Sequence, residues 1–189
     1  TWMALRNDGV AVVLLNGAFE RHQPNPPYKK SRGLVVLDII SEENCLQKYN
    51  EYDLAVIEPF TLVIYSHSHL YECVWNGAEK FIQEKSIQER HIWSSVTLYD
   101  REFRELKRNL YQQLTDTNEK INPSDILRFH KSEEDLENGF IINRNNQLIT
   151  FSVTQIVLTE EINTFTHADI IDDKLYRITA HEFSKKSFL

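Results

Sequence analysis

Asn16 stands where an apolar run, Val10 to Leu15, comes to a stop, and the cations Arg21, Lys29, Lys30 and Arg32 follow it in a loop with three prolines. An amide NH2 at the end of a buried strand can donate to a developing oxyanion, a contribution of about 2.7–4 kcal/mol for one such donor. Asn16-Gly17 is equally a common turn pair, because both residues tolerate tight backbone geometry. Spacing leaves the two readings level. The four cations surround Ser31, a good helix N-cap. Free backbone N–H groups and the positive end of a helix dipole beside them make an anion site, with a solvated basic loop as the alternative.

Other reactive types are less well placed. His67-Ser68-His69 puts two imidazoles on one side of an extended strand, yet no third ligand is placed by spacing, and structural metal sites use four. No metal or cofactor is expected. Cys45 and Cys73 form neither a CxxC nor a zinc-like spacing, which reads as two reduced, buried thiols. Cys73 sits in an alternating Leu70–Trp75 segment, with no base nearby to activate it. Glu133-Glu134-Asp135 and Asp172-Asp173 read as solvated acidic turns. Thr1, were it a free amino terminus, could serve as nucleophile and base at once; the preferred reading is that the recorded chain starts inside a longer protein.

The elements that must carry these groups follow from hydrophobic patterning. Thr1 to Leu5 and Val10 to Leu15 flank Asn7-Asp8-Gly9, a hairpin. Leu34 to Ile40 is apolar nearly all round, which suits a buried helix opened by Ser31, with a strand as the alternative. A second helix is expected from Ser41 towards Tyr52. Strands are expected at Phe60 to Ser66, Leu70 to Trp75 and Lys80 to Glu84, then at Ile92 to Leu98 with Ser94 and Ser95 at its polar centre. Asp100 to Thr115 is an amphipathic helix with a Phe103, Leu106, Leu110, Tyr111, Leu114 stripe. A short helix starts at Pro123, and strands follow at Gly139 to Arg144, Leu148 to Leu158 and Lys174 to Ala180. Hairpins and grouped helices favour α+β with antiparallel sheets, in one domain over residues 1–189.

Charge narrows the partners. Residues 1 to 40 carry five Lys or Arg against three acids, so the other 149 residues hold −9 to bring the chain to −7. An acidic chain of this kind argues against non-specific nucleic-acid binding, which runs on phosphate neutralisation. No apolar run approaches the roughly 20 residues of a membrane helix, and the expected location is cytoplasmic. The local positive charge points to a small anionic ligand.

The stretch from Leu14 to His22, continued by Pro27 to Val35, resembles the NRDE proteins, the family that includes the transport and Golgi organisation protein of animals and many bacterial members. Ile57 to Leu62, Trp75-Asn76-Gly77, His91 to Tyr99 and Thr150 to Thr154 match in the same order. The resemblance implies an N-terminal-nucleophile (Ntn) hydrolase-like αββα sandwich, two antiparallel sheets between helix layers. It is more distantly similar to the choloylglycine and penicillin amidases, in which an amino-terminal cysteine attacks an amide. In those enzymes an asparagine at the end of the corresponding strand holds the oxyanion, and Asn16 is the matching residue. Ser94-Ser95 stands where a second asparagine would be. The family's leading cysteine and its Asn-Arg-Asp-Glu motif would precede Thr1, so the resemblance implies that residues 1–189 lack amino-terminal strands and need that segment to complete the fold.

Two functions are implied. One is amide hydrolysis of a small acyl amide, with a cysteine nucleophile outside this chain, Asn16 on the oxyanion, and Arg21, Lys29, Lys30, Arg32, Ser94 and Ser95 about the substrate. The other is a non-catalytic carrier for an amphipathic anion such as an acyl-CoA, a lipid or haem.

Overall fold

The computed structural model describes residues 2–117 and 120–181. The chain divides into two compact units, Thr1–Arg104 and Glu105–Leu189.

The first unit is built on a five-stranded antiparallel meander, β1 (Trp2–Leu5), β2 (Ala11–Asn16), β3 (Phe60–Ser66), β4 (His69–Trp75) and β5 (Lys80–Lys85), in that spatial order. The expected first hairpin forms, with Gly9 at φ +86° and its N–H donating to the Arg6 carbonyl at 3.0 Å. Helix α1 (Arg32–Ile40) is capped by the Ser31 hydroxyl, which accepts from the Leu34 N–H. That cap settles the helix-or-strand alternative for Leu34 to Ile40. The helix is not apolar on every side that is covered: Val35, Val36 and Ile39 are buried, while Leu34 and Leu37 face solvent. Helix α2 (Cys45–Glu51) starts four residues later than Ser41, because the Asn44 side chain caps Gln47 N–H and Arg6 spans the intervening carbonyls of Ile40 and Glu42.

The core lies on one face of the sheet. Val12, Leu14, Phe60, Leu62, Ile64 and Cys73 pack with Val35, Val36 and Ile39 of α1 and Tyr49 of α2. Tyr49 meets Phe60 edge to face at 6.3 Å, and the Trp75 indole donates to the Ile57 carbonyl at 2.9 Å. Burying each such side chain contributes roughly 1.5–3 kcal/mol.

Residues 92–98 are a correction: no strand forms there. The Leu98 and Tyr99 N–H groups both turn back on the Ser95 carbonyl, at 3.3 and 3.1 Å, and Val96 is buried against Gly17. Long-range packing overrides the local β pattern.

The second unit contains most of α3 (Arg101–Thr117), α4 (Pro123–His130), a short ladder of β6 (Asn143–Arg144) and β7 (Leu148–Ile149), and a three-stranded antiparallel sheet ordered β10-β9-β8. Those strands are β8 (Ser152–Leu158), β9 (Ile162–Asp169) and β10 (Lys174–His181). Asn122 and Asp125 form a capping box at the start of α4. The expected Gly139 to Arg144 strand shrinks to two residues, and Leu148 to Leu158 breaks in two. The break falls where Thr150 N–H donates to the Ile142 carbonyl and its hydroxyl accepts from Ile142 N–H. On α3, Leu106 of the expected apolar stripe is exposed. Lys107 is buried instead, its ammonium on the Gly139 carbonyl at 2.6 Å and over the Phe140 ring at 4.2 Å. Helices and antiparallel sheets together make an α+β chain. Among the described residues no helix is long and apolar enough to cross a membrane.

Candidate functional site at the end of β2

Strand β2 delivers Asn16 as its last residue, paired with Phe60 at the start of β3. Alternation along the strand puts Asn16 on the face that carries Val12 and Leu14, the face covered by α1. Its backbone is held from several directions. The Ser95 hydroxyl donates to the Asn16 carbonyl at 2.8 Å. Gly17 N–H donates to the Pro59 carbonyl at 3.0 Å, and the Thr61 hydroxyl donates to the Gly17 carbonyl at 3.1 Å. Gly17 has φ +86°, and a Cβ there would lie 2.3 Å from Val96 Cγ2. Glycine is therefore required twice over, by backbone conformation and by space. The Asn16 side-chain amide has no hydrogen-bond partner among the described residues, so a fixed backbone presents an uncommitted donor.

The basic loop is largely neutralised by its own surroundings. Lys29 pairs with Asp53 at 2.7 Å, both exposed, and that contact lowers the Asp53 carboxyl. Lys30 and the Tyr52 hydroxyl both bond Asp38; the Lys30 contact lowers the Asp38 carboxyl, and the Asp38 contact raises the Lys30 ammonium. Arg32 is mostly buried and forked: one arm meets Glu58 at 2.9 Å, the other donates to the Pro59 carbonyl at 3.1 Å. Burial pulls its guanidinium below the ordinary arginine value, though arginine stays charged in proteins. Arg21 is exposed and has no partner among the described residues.

Residues 1–181 match the family described as Transport and Golgi organisation 2. The chain belongs to the Transport and Golgi organisation 2 family. A search of curated proteins returned no match.

For this member of the Transport and Golgi organisation 2 family, the structure brings Asn16 together with Ser95 but not with the amino groups of Lys29 and Lys30, which are committed elsewhere. Ser94 lies in the same irregular segment as Ser95, without a hydrogen bond from its side chain among the described residues. Sequence reasoning assigned no role to Glu58 and His22. Glu58 Oε1 takes His22 Nε2 at 3.1 Å while its other oxygen holds Arg32. A carboxylate only accepts, so the imidazole nitrogen facing it is the donor, and Nδ1 is buried with no hydrogen-bond partner among the described residues. The available signal was the adjacency Glu58-Pro59 within the Ile57 to Leu62 segment, but nothing local tied it to Arg32.

The other reactive groups have ordinary surroundings. His67 and Ser68 form the β3–β4 turn in left-handed conformation, at φ 49° and 65°. His67 bonds the Ser66 hydroxyl, and His69 bonds Glu84 at 2.6 Å. Among the described residues no group of three or more His, Cys, Asp or Glu is arranged to hold a metal. Cys45 and Cys73 are free and buried; burial raises both thiols, Cys73 to about 12, the opposite of what a nucleophile needs. Thr1 lies outside the described residues.

Proposed function

We propose that this chain is an Ntn-hydrolase-like protein that supports hydrolysis of a small acyl amide, with Asn16 donating to the oxyanion and a cysteine supplied from outside the residues described. The observation that carries this reading is the uncommitted Asn16 amide on a backbone fixed by Ser95, Pro59 and Thr61. A preorganised donor of this kind loses nothing to reorganisation when charge develops on the substrate. Among the four loop cations, Arg21 is the one we assign to a substrate carboxylate or phosphate, since the others meet carboxylates of the protein.

A second reading, carriage of an amphipathic anion, has its own support. Phe19 and Phe81, 52% and 40% exposed, stack edge to face at 5.1 Å, and Arg21 follows two residues after Phe19. An acyl chain against the rings with its anionic head on Arg21 would use both features, and fold alone does not choose between carrier and enzyme.

Mass spectrometry of the complete protein with an electrophilic acyl probe tests the first reading: acylation of an amino-terminal cysteine with turnover of an amide supports it, and the absence of both overturns it. Thermal shift with an acyl-CoA, an anionic lipid and haem tests the second, which fails if none of the three stabilises the protein.

A further inference from the structure

The Pro59 carbonyl oxygen is shared. It accepts from Gly17 N–H at 3.0 Å and from the Arg32 guanidinium at 3.1 Å. The other arm of Arg32 is fixed by Glu58 Oε2 at 2.9 Å, and Glu58 Oε1 is occupied by His22. Because Glu58 and Pro59 are consecutive, one planar guanidinium spans a carboxylate and the next residue's carbonyl from two separate nitrogens, a rigid fork that the single nitrogen of an ammonium does not provide. The side chains of His22, Glu58 and Arg32 are only 19, 22 and 16% exposed, so water screens these charge-assisted bonds weakly. The chain of contacts ends on the residue that follows Asn16.

We propose that Arg32 and Glu58 are positioning residues for Asn16, acting through the Pro59 carbonyl and the Gly17 amide. This assigns Arg32 to the scaffold of the site instead of to the ligand. Its functional meaning rests on the reading of Asn16 as an oxyanion donor; its structural content does not. Glu58 keeps the guanidinium in the plane where its second arm meets Pro59, and Pro59 then limits how far the Asn16-Gly17 turn can open. Ser95 holds the Asn16 carbonyl independently, so loss of the Arg32 fork loosens one flank and leaves the other.

The experiment is amide hydrogen exchange by NMR on the full chain, comparing wild type with Glu58→Gln and Arg32→Lys, and using Asn16→Ala to assign the Asn16 side-chain NH2 signal. Expected is exchange at Gly17 at least tenfold faster in both variants, with a displaced Asn16 NH2 signal, while the Leu62 and Ile64 amides stay within twofold of wild type. Unchanged Gly17 exchange and an unmoved Asn16 signal would overturn the proposal. So would equal acceleration at Gly17, Leu62 and Ile64, which marks a loss of global stability. Should Glu58→Gln fail to fold, Arg32→Lys decides by the same readout. Where wild type turns over an amide, kcat should fall about tenfold in Arg32→Lys with KM within twofold; a raised KM at unchanged kcat would return Arg32 to the ligand. A wild type that is never acylated ends the hydrolase reading, and the exchange data still decide the positioning role.

Discussion

Ser95 Oγ donates to the Asn16 carbonyl at 2.8 Å across 79 positions of sequence, and the same hydroxyl lies 3.0 Å from Thr97 Oγ1. A loop serine thus ties down the end of a strand far from it in sequence. Ser95→Ala should cost about 1 kcal/mol, the net value of one such bond in a partly buried setting. Urea unfolding of wild type and variant reads this as a lower midpoint at unchanged slope; identical midpoints would show that water replaces the hydroxyl at no cost.

Gly17 and Gly77 separate backbone strain from steric exclusion. Both have positive φ, +86° and +102°, but a Cβ at Gly17 meets Val96 Cγ2 at 2.3 Å, whereas at Gly77 the nearest atom is Pro59 Cγ at 3.4 Å. Gly77→Ala should therefore cost roughly 1–2 kcal/mol, the left-handed penalty alone. Gly17→Ala should cost at least about 1 kcal/mol more, since Val96 is buried and β-branched and has few ways to yield. Equal losses in chemical denaturation would mean that the 92–98 segment shifts freely.

Asn16→Ala distinguishes catalysis from structure. The side-chain amide has no partner among the described residues, so its removal should change stability by less than about 1 kcal/mol. If the amide donates to an oxyanion, kcat should fall by about 10²–10³ with KM nearly constant. Steady-state kinetics on an amide substrate and a melting curve together check this; parallel losses in kcat and 1/KM would refute a role confined to the transition state.

Much of the first unit was readable because its determinants are local. The Asn7-Asp8-Gly9 turn, the Ser31 cap and the alternation of Leu70 to Trp75 in β4 each lie within a few residues of what they specify. The conformation of residues 92–98 was not readable, because it depends on Gly17 leaving space for Val96 and on Asn16 offering a carbonyl to Ser95. The Arg32 fork was hidden for the same reason: a charge pattern shows a basic loop and cannot show that Glu58 folds back to meet it. In the second unit, β9 escaped notice because its buried positions include Asn163, Thr166 and Ala168, which blunt the apolar alternation. Lys107 defeats the stripe rule outright, a cation where the helix is most covered. That Asn16 ends a strand was legible; the Ser95, Pro59 and Thr61 contacts around it were not.

The two units should respond to alkali with opposite signs. Burial raises the Cys73 thiol from 9.0 to about 12 and raises the Tyr49 hydroxyl as well. A raised folded-state value means stability that is fully present below the unfolded value and lost as pH climbs above it, because the unfolded chain releases its proton first. The first unit should therefore weaken from about pH 9 upward. Burial instead lowers the Lys107 ammonium from 10.5 to about 8. Here the unfolded chain holds the proton longer, so the penalty of burying the charge is complete below pH 8 and is relieved as pH rises towards 10.5, a gain on the order of 1–3 kcal/mol. Hydrogen exchange with peptide-level mass spectrometry, corrected for the intrinsic pH dependence, resolves the units: protection of β3 should fall between pH 8 and 10.5 relative to that of β9. Lys107→Met should remove the rise in the second unit and leave the first unit's decline intact. Tyr49→Phe should soften that decline at little cost near neutral pH, since the hydroxyl it removes is buried with no hydrogen-bond partner among the described residues. If protection of β9 falls in wild type as steeply as that of β3, Lys107 is not held in its charged form at a cost, and the assignment of its burial to the folded second unit is wrong.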